Sequence, residues 1–331
     1  MLFRILAVMV WACTAATIAT AAAGLNGAEI DWLVFTFVVL MAALVQGYPA
    51  HIINEIYDWQ SGSDQPLASS TVQGKSSKKQ VAGGSKVIAA GLLSIKELWW
   101  LFHITTAVVV LLTVFIGMAH STTLLWFIIP GYFLCIFYTL PPFRFAYRPF
   151  LGEYCGGFAG IVLLVCGAYF AQTLSLPLSI IILALALGFL YAAVMVFFHY
   201  VDFSRDRLAS PPKRTSVVHL GLAGSRVYAL ANAAIGTVML ASLAITESLP
   251  YILVAIIGAL IFYCHYRVQP DDDSSIVHWG KRMTYGMLML GVLFGMVADV
   301  AFIGMAAFYI LGYWLHKNFG KLHTTTAVSH A

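Results

Sequence analysis

Charge-poor apolar runs recur along almost the whole chain, at 3–24, 29–53, 97–118, 121–140, 152–173, 178–200, 225–246 and 249–268, followed by a longer stretch at 283–315. A hydrocarbon core about 30 Å thick needs roughly 20 apolar residues per helix, so each of the first eight runs predicts one membrane-spanning helix. The last run is harder to divide. At about 1.5 Å per residue it is too long for one untilted helix and barely enough for two. Asp299 lies in its middle, where a charge is costly unless it is paired or placed at a turn. The pattern predicts an all-α, polytopic transmembrane bundle of eight or nine helices. The first run has a second reading, because Arg4, the apolar residues to Ile18 and the small Ala21, Ala22 and Ala23 resemble a cleavable signal peptide.

Composition excludes a soluble domain. Of 331 residues, 61% are hydrophobic and 10% charged, and the mean hydropathy is +0.87. The 18 Lys and Arg and 14 Asp and Glu cannot coat a core of that size in water, so lipid covers most of it.

Basic residues then set the orientation. Lys75, Lys78, Lys79, Lys86 and Lys96 lie between the second and third runs, Arg144 and Arg148 between the fourth and fifth, Arg205, Arg207, Lys213 and Arg214 between the sixth and seventh, and Arg267, Lys281 and Arg282 between the eighth and ninth. The intervening loops have none. Because short cytoplasmic loops carry the excess of Lys and Arg, the N-terminus and the loops after even-numbered helices are expected in the cytosol, at a prokaryotic cytoplasmic membrane. The net charge of +4 is accounted for by this topology rather than by nucleic acid. Lys317 and Lys321 join that side only on a ten-helix count. Cys13, Cys135, Cys155, Cys166 and Cys264 are scattered without CxxC spacing and read as small core residues.

Two acidic clusters share the basic side. Asn54 and Asp58 are four apart and would share a helix face if the second helix runs past the membrane edge, with Glu55 beside them and Asp64 further on. Asp202 and Asp206 repeat the spacing at the end of the sixth helix. Each cluster is followed by a basic loop and a similar string, Val87-Ile88-Ala89-Ala90-Gly91-Leu92 and Val217-Val218-His219-Leu220-Gly221-Leu222. A pseudo-repeat of 1–140 and 150–268 is suggested within a single domain of residues 1–316, with 317–331 as a disordered tail. Carboxylates at a water-exposed mouth suit Mg2+, which takes one or two carboxylates plus waters and substrate phosphates. The bland alternative is that acids among bases in such loops are solvated salt bridges.

These strings resemble the UbiA superfamily of intramembrane prenyltransferases, which carry an NDxxDxxxD motif after helix two and a DxxxD motif after helix six. Asn54-Glu55-Ile56-Tyr57-Asp58 fits the first. Ala82-Gly83-Gly84-Ser85-Lys86-Val87-Ile88, Gly91-Leu92-Leu93-Ser94, Tyr138-Thr139-Leu140-Pro141-Pro142, Gly152-Glu153 and Gly167-Ala168-Tyr169-Phe170-Ala171-Gln172-Thr173 look most like the subgroup that prenylates 1,4-dihydroxy-2-naphthoate in menaquinone synthesis. The resemblance covers residues 4–225. It implies about nine helices around a central cavity, and transfer of a prenyl group from a prenyl diphosphate to an aromatic acceptor. Asn54, Asp58, Asp64, Asp202 and Asp206 would hold Mg2+, with Asp58 and Asp206 also counted as catalytic. Lys86, Arg144, Arg148 and Lys213 would hold diphosphate oxygens, Tyr138 would sit beside the reacting allylic carbon, and Glu153 would orient the acceptor.

The chain departs from the family pattern at Glu55, at His51, and at His199 and Tyr200 before the second motif, where asparagines are common. Those departures bear on the acceptor, so another quinone, lipid or haem precursor stays open as the acceptor. A transporter would place ionisable groups near the bilayer midplane, whereas these acids gather at one edge. A lipid-binding protein without catalysis is the other rival. The oligomeric state and prenyl chain length are not written in the sequence.

Overall fold

The computed structural model describes residues 5–62 and 87–319. Asp64, Lys75, Lys78, Lys79 and Lys86 lie outside the described residues, as does the tail beyond 319. Among the described residues the chain is helical with no strand: α1 Ile5–Leu25, α2 Trp32–Gln60, α3 Ile95–Ala119, α4 Thr122–Phe137, α5 Gly152–Thr173, α6 Leu178–Leu208, α7 Ser216–Thr246, α8 Tyr251–Arg267, α9 Asp273–Ala298 and α10 Ile303–Phe319. Seven helices are long and apolar enough to cross a membrane, and α4 and α8 are shorter apolar rods. Residues 317–319, expected within a disordered tail, instead complete α10.

The ambiguous last run divides in two. Asp299 leaves the helical conformation, its carboxylate accepts from the Ala301 amide, and its own amide bonds Gly295. The charge therefore sits at a turn, where the cap replaces a missing intrahelical partner. The described residues form ten rods rather than nine. Gly312, in the middle of α10, packs on Ile5 and Met9 at the start of α1, while Phe302 meets Trp32 and Phe35 at the start of α2. Lys317 consequently reaches the edge where α1 begins and α2 ends.

Burial divides the helices by role. Most of α1 and α6 is enclosed, and most of α3 and α10 faces outward. On α3, Ile104, Val108, Leu111, Phe115 and Met118 form an exposed stripe at helical spacing, which only a lipid surround makes favourable. Within α1, Met9–Cys13 forms a wide π-type turn, and Tyr191 Oη of α6 donates to the freed Val10 carbonyl at 2.6 Å. That contact fixes the two enclosed helices together.

The helix ends carry the chemistry. Pro49 lacks the amide that an unbroken ladder requires, and α2 takes a π-type turn over Gln46–Ala50 before continuing to Gln60. It therefore runs past the apolar stretch with Asn54 and Asp58 on one face. α6 likewise continues through Asp202 and Asp206, then stops at Ala209, where Pro211 and Pro212 supply no further donors. The glycines of the two similar strings both take positive φ. Gly91 and Gly221 have φ of 65° and 71°, and Val87 and Val217 are both buried.

Candidate active site

The two acidic helix ends meet. The Ser210 amide donates to the Ser61 carbonyl at 2.8 Å, stitching the loop after α6 to the end of α2. Three residues on, Lys213 Nζ donates to Asp58 Oδ1 at 3.0 Å and Oδ2 at 3.3 Å, and the Lys213 amide bonds the Asp206 carbonyl. All three side chains are buried. Burial of the Lys213 ammonium works to lower its pKa, but the Asp58 and Asp206 carboxylates outweigh it and hold the pKa well above the usual lysine range. An ammonium therefore stays charged between the two motifs.

Asp206 is only 2% exposed, and its Oδ2 has no hydrogen-bond partner. A buried, unpartnered carboxylate oxygen is costly. Asp202 is half-buried one turn earlier on α6. Asn54 Nδ2 lies 3.5 Å from Thr139 Oγ1. Glu55 is buried. Among the described residues no three His, Cys, Asp or Glu side chains converge as a ready-made metal cage.

The loop between α4 and α5 closes the other side. Arg144 and Phe150 both adopt left-handed backbone, with φ of 45° and 66°, a conformation that costs about 1–3 kcal/mol for a residue with a side chain. The Arg144 guanidinium stacks on Tyr57 and Tyr147, at 5.4 and 5.6 Å from the ring centroids, and Lys213 Nζ lies 5.8 Å from the Tyr147 centroid. Burial raises the Tyr147 pKa, so its ring presents a neutral π-face to both cations. Arg148 is exposed, with Nη2 3.4 Å from the Pro142 carbonyl.

Tyr138 and Glu153 come together through a residue that the sequence pattern flagged but gave no role. Tyr138 Oη is 3.3 Å from His199 Nε2, and His199 Nδ1 is 3.0 Å from Glu153 Oε1. Ser216 Oγ donates to Glu153 Oε2 at 2.7 Å. His199, Asp202 and Asp206 fall at i, i+3 and i+7, one face of α6, and that spacing is the signal by which His199 could have been grouped with the acids. Ser216 had no such signal. Glycines 152, 156 and 160 repeat every four residues, a spacing that suits close helix packing, but their surroundings differ. A Cβ at Gly152 would stand 3.4 Å from Ala146 backbone, one at Gly156 2.9 Å from the Tyr138 ring, and one at Gly160 in nearly open space.

The chain resembles solved structures of the same architecture. A UbiA homolog from Archaeoglobus fulgidus bound to GPP and Mg2+ has a TM-score of 0.61 at 15% identity, covering 89% of this chain and 96% of that one. The same homolog bound to DMAPP and Mg2+ has a TM-score of 0.63 at 14% identity, with the same coverage. The apo structure of a UbiA homolog from Aeropyrum pernix K1 has a TM-score of 0.62 at 14% identity, covering 90% of this chain and 99% of that one. Likeness at that identity shows the fold alone. No curated protein matches the chain in sequence. The profile of the UbiA prenyltransferase family matches residues 9–283, which takes in both acidic motifs and the helices between them, and the chain belongs to that family.

Proposed function

We propose that the protein transfers a prenyl group from a prenyl diphosphate to an aromatic acceptor, at the edge where α2 and α6 end. The observation that carries this reading is the buried Lys213 ammonium bonded to Asp58 and charge-coupled to Asp206, which joins the two family motifs into one charged centre.

The residues present fit Mg2+. Asp206 Oδ2 is buried without a partner, the condition a cation would relieve, and Mg2+ needs only one or two carboxylates when phosphate oxygens complete its shell. Asn54 and Asp58 would hold one ion and Asp202 and Asp206 another. Asp64 would join the first, although it lies outside the described residues. Bound there, Mg2+ would neutralise charge on the departing diphosphate. Lys213 and Arg144 would bind diphosphate oxygens, with Arg148 at the exposed rim. Lys86, outside the described residues, is proposed for the same role. Tyr138 would stand beside the allylic carbon.

By resemblance of its strings, the acceptor is 1,4-dihydroxy-2-naphthoate of menaquinone biosynthesis. The loops that carry these residues are the basic ones, which supports a cytosolic face, and the matching glycines of the two strings support a pseudo-repeat. Purified protein incubated with labelled prenyl diphosphate, Mg2+ and a panel of phenolic acceptors tests the reading. Prenylated dihydroxynaphthoate is the expected product, and no prenylated product with any acceptor sinks it.

A further inference from the structure

A second polar line runs beside the charged centre. From Tyr138 it passes through His199 to Glu153, then to Ser216 and to the Phe150 amide, which donates to Ser216 Oγ at 2.9 Å. Glu153 and Ser216 are 0% exposed and His199 is 8% exposed. The fixed donor at its far end orders the hydrogens. An amide only donates, so the Ser216 oxygen accepts from it and passes its own hydrogen to Glu153. The Glu153 carboxylate then faces the His199 Nδ1–H, which leaves the Nε2 lone pair directed at the Tyr138 hydroxyl. Asp206 and Lys213 are the other charged groups near His199. The Tyr138 ring lies on Gly156, where an added Cβ would stand 2.9 Å from it and displace it, while a Cβ at Gly152 would meet it at an ordinary contact of 3.6 Å.

We infer that Tyr138, His199 and Glu153 form a proton-uptake relay for the hydroxyl of the acceptor. This inference rests on the prenyl-transfer reading. In the step, the allylic C–O bond breaks and its electron pair leaves on diphosphate. A ring carbon of the acceptor forms the new C–C bond, and the electrons of its breaking O–H bond become the carbonyl of a dienone. The hydroxyl proton passes to Tyr138 Oη as Tyr138 gives its own to His199 Nε2, and Glu153 balances the imidazolium. The dienone rearomatises by losing the substituent on its new sp3 carbon, a proton to the released diphosphate or a carboxylate as carbon dioxide, and its oxygen takes a proton back from the relay. Both oxygens of Glu153 are engaged within the protein, so it is a positioning residue that acts through His199.

The test uses the full chain with prenyl diphosphate, Mg2+ and hydroxylated acceptors, and reads the ratio of prenylated acceptor to released prenyl alcohol. In His199→Ala that ratio is expected to fall about 100-fold or more, the usual worth of a positioned acid or base, and added imidazole is expected to raise it again. Tyr138→Phe should lower the ratio and show no imidazole rescue. An unchanged ratio in His199→Ala, or one that imidazole does not raise, overturns the relay while leaving prenyl transfer standing. If the alanine variant is not monodisperse, His199→Gln is read by the same ratio. A wild type that prenylates no acceptor overturns both readings.

Discussion

Lys213 Nζ binds both carboxylate oxygens of Asp58, a residue 155 positions away in the chain. The pair is buried on both sides, so neither charge is screened by bulk water. Removing one partner of a buried pair strands the other, at a cost of about 3–5 kcal/mol. Lys213→Gln is expected to lower the melting temperature in detergent and to raise the KM for prenyl diphosphate, whereas Lys213→Arg should keep much of the stability. Unfolding scans of the two variants, alongside initial rates, check this.

Asp58→Ala and Asp206→Ala are each expected to abolish turnover while the protein still reaches the membrane. Radiolabelled transfer and fluorescence-detected gel filtration measure the two outcomes separately. Retained activity in both variants would remove the metal assignment.

Gly156→Ala places a methyl group 2.9 Å from Tyr138 Cδ2 and 3.2 Å from Met195 Cε. The ring must shift, and a displacement of about 1 Å in a reacting group can cost on the order of 100-fold in rate. The expected result is a fall in kcat with little change in melting temperature. Gly160→Ala is the control, since nothing but the Cys155 carbonyl, at 3.8 Å, lies near that site. A larger activity loss at 160 than at 156 would contradict the account.

Gly221 combines φ 71° with ψ 172°, which breaks α7 just after its first turn. Only glycine visits that region readily, so Gly221→Ala should destabilise by roughly 1–3 kcal/mol. Thermal unfolding of the purified variant gives the number directly.

The ten-rod arrangement puts residues 318 and 247 at opposite edges of the bundle. In a background without the five native cysteines, Asn318→Cys should share its labelling side with Arg207→Cys, and Glu247→Cys should label from the other side. Impermeant maleimide on intact cells and on opened membranes distinguishes them; labelling of 318 together with 247 refutes the arrangement.

The helices were legible because lipid imposes a length on each apolar run, and α2 and α6 extend to their acids as the four-residue spacing suggested. The division at Asp299 was not decided by hydropathy, since the flanking residues are apolar on both sides and only a carboxylate accepting from the amide two residues on marks the stop. At the site, the spacing of Asn54, Asp58, Asp202 and Asp206 indicated faces but not that Lys213 would lie against them. His199 appeared only as a departure from an expected asparagine, and Ser216 carried no signal at all. Their partners come from other helices, so no local pattern could pair them.

Arg144 and Phe150 both hold left-handed backbone within the loop between α4 and α5. Glycine at either place would relax the chain, yet it would delete the guanidinium stacked on Tyr57 and Tyr147, or the ring packed on Tyr228 and His219. A selection for heat-resistant variants would thus be drawn to these two codons and would return sturdier, slower proteins. The loop is where durability and turnover are set against each other.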